Sequence, residues 1–429
     1  MKRKYMALAM TLIITTQLLS GCASVNNAKS KENVNNFDSF MDNLSKDKAS
    51  QNFIKSNQEP IYTNNLDAPK LEFLNKYLDN YEVFLTGEEH GYTVDMPLEV
   101  KFLKYFVQNA GIKYFIPEIT HSEGWLYNKY LTTGDDSLLR QLADGWDNNS
   151  LKYTKYDAAW KEIRNFYLSL DKDKRFKVIG LDVETIPPSA VKCMNIMMTD
   201  KSIPATLPLL KELRENVNNN KFNSFDTNKD NPIYQFSIEL KTDMEKNEKD
   251  YREFLGEDFS DFKMICDGLV VGFNAYIESG QNSKDIKFYE VREKQIIKNF
   301  MYINSIVPKG KYYGQWGSAH VCTNKLIFDN FATAINNSNT YLKNKVYPIK
   351  YVFKGDIDLS NMYFLMDKYS QSKEAVVFFN FSGNDSPINK LTAKNALEQS
   401  AKVPDKMKIC DYYKGWVMIK DTNVIRKDQ

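Results

Sequence analysis

Histidine is the scarcest chemistry-bearing residue of this chain, with three in 429 residues: His90, His121 and His320. Cysteine is nearly as rare. There are five, no two in a C-x-x-C spacing, which excludes a zinc-finger ligand set and a dense disulfide framework. Cys193, Cys266, Cys322 and Cys410 are widely spaced and suit buried core thiols, with one or two disulfides left open. An excess of either charge is also lacking, 57 Lys+Arg standing against 55 Asp+Glu. No bulk charge therefore selects nucleic acid, and no acidic tail solvates the chain. The G-x-S-x-G elbow, H-E-x-x-H, the Walker loop and G-x-G-x-x-G are all absent, so a Ser-His-Asp hydrolase is not expected.

What is present begins at the N-terminus. "MKRKY" is a basic n-region, "MALAMTLIITTQLL" a short apolar run, and "LSGC" follows directly, the pattern of an export signal. "LSGC" resembles the lipobox of bacterial lipoproteins, which implies lipidation of Cys22 and a lipid anchor in the cell membrane, facing outside the cytoplasm. Residues 1–22 are read as this signal and residues 23–67, rich in Asn, Lys and Ser around one amphipathic patch "FDSFMDNL", as a flexible tether. Residues 68–429 form one α/β domain, with a charged helical insertion at about 204–305.

The domain opens with a helix predicted from Asp67 through "DAPKLEFLNKYLDNY". "EVFLTG" then reads as a buried strand, and "DMPLEVKFLKYFVQNAG" as a helix with Asp95 as its cap and Gly111 past its last turn. "IKYFIPEI" is the next strand. Strand, helix, strand at this length predicts a βαβ unit with parallel strands, whose carboxyl ends share one sheet edge. "RFKVIGLDVE" and "KGKYYGQWGSAH" repeat the pattern, and "KVYPIKYVF", "EAVVFFNF" and "GWVMIKD" add later strands. The predicted class is a three-layer α/β/α fold with a mainly parallel sheet. Glu118, Asp182, Glu184 and the pair of His90 and His320 then stand at or just past strand ends.

"GEEHG", residues 87–91, is the focus of that edge. An imidazole takes a proton from water near neutral pH, and an adjacent carboxylate orients the ring and stabilises the imidazolium. Glycines on either side allow a tight turn. Glu88 and Glu89 are both candidates for the working acid. His121 makes an E-x-x-H with Glu118, which on a helix would offer two metal ligands but after a strand suits the rim of a site. Arg292 has a plain reading as a solvated helix charge beside the i,i+4 pair Glu290 and Lys294.

"LTGEEHG", "FIPEIT", "VIGLDVE", "REKQIIKN" and "GQWGSAHV" occur in an order that resembles the erythromycin-esterase-like superfamily, a group that also holds haem-binding iron-uptake lipoproteins and Tiki-type metalloproteases. The resemblance covers about residues 70 to 325. It implies hydrolysis of an ester, lactone or amide by an activated water, with His90 as general base and Glu88 or Glu89 and Glu118 as acids. Arg292 and His320 match the residues that stabilise the oxyanion, while Asp182, Glu184 and His121 are candidates for substrate binding. The G-x-x-H spacing is one residue shorter than in the macrolide esterases and nearer to the haem-binding and Tiki-type branches. No cofactor is predicted, with a divalent metal or haem left open, and a haem-binding lipoprotein or a metal-dependent peptidase stands as the alternative. Expected partners are a small-molecule or peptide substrate and the membrane through Cys22, and no nucleic acid.

Overall fold

The computed structural model describes residues 27–143, 151–198, 202–326, 328–356, 359–396 and 406–420. Cys22 and the export signal lie outside them. Two compact units share the chain: a sheet unit (residues up to 115, 154–176 and from 310 on) and a helical unit (116–153 and 177–309).

The first elements are α1 (Asn27–Lys46), α2 (Lys48–Ser56), β1 (Gln58–Pro60), α3 (Asn75–Leu78), β2 (Val83–Glu88), α4 (Asp95–Ala110) and β3 (Ile112–Phe115). There follow α5 (His121–Thr133), α6 (Asp136–Leu142), α7 (Leu151–Ser169), β4 (Lys177–Val178), α8 (Pro187–Met197), α9 (Pro208–Asn218) and α10 (Pro232–Lys246). Next come α11 (Glu248–Leu255), α12 (Phe259–Glu278), α13 (Ile286–Ile306) and β5 (Lys311–Gly317). The last are α14 (Phe331–Asn336), β6 (Val346–Phe353), α15 (Ser360–Tyr369), β7 (Val376–Asn380), α16 (Ala393–Ala396) and β8 (Gly415–Ile419).

In the sheet unit the strands run in the order β1-β7-β8-β6-β2-β5-β3. The five from β8 to β3 are parallel, and β7 and β1 add antiparallel pairs at one edge. Every residue of β2 is buried, as are those of β6, β7 and β8, which is why these strands read as nearly continuous apolar runs rather than alternating ones. The β2–α4–β3 crossover moves to one side of β2, while β6 closes on the other. In open α/β sheets, ligands bind beyond the carboxyl ends of strands at such a reversal. Gly111 ends α4 at φ 71°, a left-handed position that a side chain would strain. Phe106 of α4 stacks on Phe84 of β2 with ring centroids 4.5 Å apart. Burying an aromatic of this size contributes roughly 1.5–3 kcal/mol.

Three predictions need correction here. The tether is not flexible along its length. Phe37, Met41 and Leu44, spaced i, i+4, i+7 on α1, are buried, Asp47 caps α2, and β1 pairs with β7. The apolar patch within the polar stretch was enough to dock it. The helix predicted from Asp67 is only a 3-10 turn at Glu72–Leu74 followed by α3, and the Asp67 carbonyl, which a helix would use internally, accepts instead from Lys101 Nζ at 3.0 Å. "RFKVIGLDVE" forms two strand residues and then a single bridge between Asp182 and Thr120.

The helical unit is built on α12, whose Phe262, Ile265, Leu269 and Phe273 are buried at helical spacing. Gly268 and Gly272 let its backbone approach the chain at Glu184, where a Cβ on Gly272 would collide with the Glu184 carbonyl. Asn299 of α13 donates to the Leu181 carbonyl at 2.8 Å and holds α13 against the same segment.

Candidate functional site

The two glycines of "GEEHG" serve different ends. Gly87 lies within β2, and a Cβ there would stand 2.5 Å from the Val321 side chain and 3.1 Å from the Ser318 backbone. It allows the segment after β5 to pack directly on β2. Gly91 has φ 103°, a conformation open to glycine and strained for other residues, and it turns the chain from β2 toward α4.

Between them the two acids part. Side chains alternate along an extended chain, so Glu88 and Glu89 leave in opposite directions. The Glu88 carboxylate pairs with His90 Nδ1. Glu89 accepts hydrogen bonds from Lys350 Nζ and from Ser318 Oγ, each at 2.7 Å. Burial pushes the Glu89 carboxyl up, but the Lys350 ammonium and the Ser318 hydroxyl outweigh it and hold the group below its ordinary range. Glu89 is thus a neutralised structural anion. Glu88 is the acid that meets the histidine.

Asp95 does not cap α4 with its side chain; Val94 occupies the cap position. Its Oδ2 instead accepts the Tyr92 N–H at 3.1 Å, which closes the turn after Gly91. Burial, then the neighbouring Glu88 carboxylate, push the Asp95 carboxyl well above its ordinary value. Gln315 of β5 donates to the Asp95 carbonyl at 3.0 Å and takes the Tyr351 hydroxyl at 2.9 Å, so the start of α4 is tied to two strands. The Tyr92 ring lies on Phe353 at 3.9 Å between centroids.

In the helical unit, Arg292 of α13 is not a solvated charge. Its Nε and Nη2 donate to the two oxygens of Asp182 at 2.8 and 2.6 Å, and Nη2 also reaches Glu118 at 2.5 Å. The fork geometry of the guanidinium suits this bidentate contact. Burial works against its charge, but the two carboxylates raise its pKa well above the ordinary value and keep it positive. Glu184 faces elsewhere: its carboxyl accepts the Ser122 N–H at 2.9 Å and the Ser122 hydroxyl at 2.7 Å, and burial pushes it up to about 7.

His121 corrects two expectations. It is buried rather than on a rim, and both ring nitrogens are engaged, Nδ1 with the Gly180 carbonyl and Nε2 with Asp261, each at 2.8 Å. Two acceptors call for a doubly protonated ring; burial opposes that charge, but Asp261 and the carbonyl raise the pKa overall. Neither nitrogen is left with a lone pair for a metal, so the E-x-x-H spacing makes no metal site.

His320 ends the turn Ser318–His320 after β5, with its ring buried against Trp316 and Phe328. Within the sheet unit Glu88 pairs with His90, and within the helical unit Glu118 and Asp182 share Arg292. Asp95 and Lys350 were missed as parts of the site. Lys350 carried a signal, a single charge in the middle of the fully buried run "VYPIKYVF". Asp95 looked like an ordinary cap.

No protein-family profile matches the chain, and no curated protein matches it in sequence. Its architecture is that of an α/β protein with a mainly parallel sheet, and solved structures share it. A protein from Bacillus cereus matches over 88% of this chain and 98% of its own, with TM-score 0.61 and 14% identity. A succinoglycan biosynthesis protein matches over 89% and 99%, with TM-score 0.60 and 14% identity. A histidine variant of the erythromycin esterase EreC in its open conformation matches over 83% and 95%, with TM-score 0.57 and 10% identity. At these identities the likeness is one of fold, which this chain shares with an erythromycin esterase among other proteins.

Proposed function

We propose that the protein is a hydrolase that cleaves an ester, lactone or amide in a small molecule or peptide. The pairing of Glu88 with His90 Nδ1, on a turn held by Gly91, carries this reading. With Nδ1–H donated to the carboxylate, the lone pair resides on Nε2, the nitrogen that accepts a proton from water. The hydroxide adds to the substrate carbonyl, and the imidazolium returns that proton to the leaving oxygen or nitrogen as the tetrahedral intermediate collapses. Glu88 stabilises the imidazolium between the two transfers. By the resemblance, Glu118 holds the water or substrate, and Arg292 and His320 stabilise the oxyanion.

The test is turnover of an ester, lactone and amide panel by the wild type and His90→Asn, with an absorption spectrum and metal analysis of the same preparation. Turnover by the wild type, lost in the variant, supports the proposal. Stoichiometric haem with a Soret band and no turnover of any substrate overturns it in favour of a haem-binding protein. Activity abolished by a chelator and restored by a divalent ion makes the protein a metal-dependent peptidase or esterase instead.

We also propose that Cys22 carries lipid and tethers the protein to the outer side of the cell membrane. "LSGC" after a basic and apolar leader supports this. Among the described residues, no helix is long and apolar enough to cross a membrane. Cys22→Ser should move the protein from the membrane to the soluble fraction, and a variant still bound to membranes would refute the anchor.

A further inference from the structure

Asp95 has no part in the chemistry outlined above, yet it is buried beside the acid that carries it. Only one of its oxygens has a donor: Oδ2 takes the Tyr92 N–H, while buried Oδ1 meets no donor among the described residues. A buried carboxylate oxygen without a donor is costly, by about 1–3 kcal/mol or more. The same oxygen is satisfied if it bears a proton, because the Glu88 carboxylate beside it then accepts.

The surroundings favour that form. The charged groups near Asp95 are the acids Glu88 and Glu89 at the end of β2. Lys350 of β6, the cation on the strand beside β2, is committed to Glu89. From β5 the neighbour is neutral Gln315, and from β6 the Tyr351 phenol, itself pushed up by burial. Burial beside the Glu88 carboxylate therefore favours the protonated form of Asp95.

We propose that Asp95 is a positioning residue: its carboxylic acid donates a hydrogen bond to Glu88, and Glu88 transmits that constraint to His90. Glu88 then has both neighbours assigned, an O–H from Asp95 and an N–H from His90. It cannot rotate away or take up the imidazole proton, so the ring stays in the tautomer that presents Nε2 to water. The Asp95 proton is never transferred. The inference rests on His90 as the base, and its test is arranged to separate the two.

Asp95→Asn supplies an N–H in place of the acid O–H and an oxygen for the Tyr92 N–H. Asp95→Ala supplies neither. With only three histidines in the chain, the His90 ring can be assigned in nuclear magnetic resonance spectra by comparison with His90→Asn. The proposal expects Asp95→Asn to leave the His90 titration midpoint unmoved, and to keep kcat within about threefold of wild type. Asp95→Ala should lower kcat by roughly tenfold or more with KM little changed, in line with a weakened general base. A His90 midpoint lowered by about one unit in Asp95→Asn, as removal of a nearby negative charge would produce, overturns the proposal. So does a folded Asp95→Asn as impaired as Asp95→Ala. Should the variants not fold, the wild-type Asp95 carboxyl carbon decides: a protonated signal at neutral pH supports the proposal, and an ionised signal from about pH 5 upward refutes it. If no substrate is turned over while the His90 and Asp95 titrations behave as stated, the hydrolase reading falls and the positioning role stands.

Discussion

Lys350 of β6 and Glu89 just past β2, 261 positions apart in sequence, form an ion pair at 2.7 Å, the lysine buried and the carboxylate half-buried. The pair decides which of two adjacent acids is available for chemistry. Glu89 is spent on Lys350 and Ser318, and Glu88 is left to His90.

Removing the lysine leaves a partly desolvated carboxylate without its cation, which costs about 1–3 kcal/mol. Lys350→Met should therefore lower the unfolding free energy by that order in urea titrations, and Lys350→Met with Glu89→Gln should recover much of it. A single variant as stable as the wild type would show that the Glu89 charge is solvated or protonated.

His90→Asn keeps the shape of the turn and removes the base. Turnover on any accepted substrate should fall by roughly 10²–10⁴, the usual contribution of a general base, with an unchanged melting temperature. A loss of activity that tracks a loss of stability would assign His90 a structural role.

Glu184 predicts a pH dependence of stability. Its carboxyl titrates at about 7 in the folded chain against 4.5 for the free side chain, so folding favours the protonated form. That contribution is fully present below pH 4.5 and is lost as pH rises through about 7. The window is worth roughly 3 kcal/mol at about 1.4 kcal/mol per unit. Glu123, also raised by burial, acts with the same sign. Chemical denaturation of Glu184→Gln and wild type between pH 4.5 and 8 should show the variant gaining stability relative to the wild type as pH rises. A constant difference would mean that Glu184 keeps one protonation state throughout.

Arg292→Lys keeps the charge but loses the bidentate fork on Asp182. If Arg292 serves the reaction, kcat/KM should fall by about 10²-fold or more, and the effects of His90→Asn and Arg292→Lys should be far from additive when combined. Additive losses, or an Arg292→Lys enzyme that is active but less stable, would confine Arg292 to holding α13 on Asp182 and Glu118.

Much of the sheet unit was legible in the sequence because its signals are local. Apolar runs of strand length gave β2, β3, β5, β6, β7 and β8. Helical spacing of Leu98, Phe102 and Phe106, closed by Gly111, gave α4. Gly91 announced the turn that raises His90, since backbone freedom at positive φ belongs to the residue itself. The chemistry expected at strand ends followed from the same local pattern, once parallel strands were inferred from their spacing.

Partners were another matter. Which acid meets His90, which cation neutralises Glu89, and whether Arg292 is solvated or buried depend on strands and helices that adjoin only in the folded chain. His121 shows the limit most plainly: its E-x-x-H spacing is local, but Gly180 and Asp261, 59 and 140 positions away, take both ring nitrogens. Burial and pairing set the charge of each group, and both arise from long-range packing. Local pattern located most of the strands and the polar residues that follow them, though not every strand end; long-range packing decided which of those residues hold one another, because partners such as Lys350 and Asp261 adjoin them only in the folded chain.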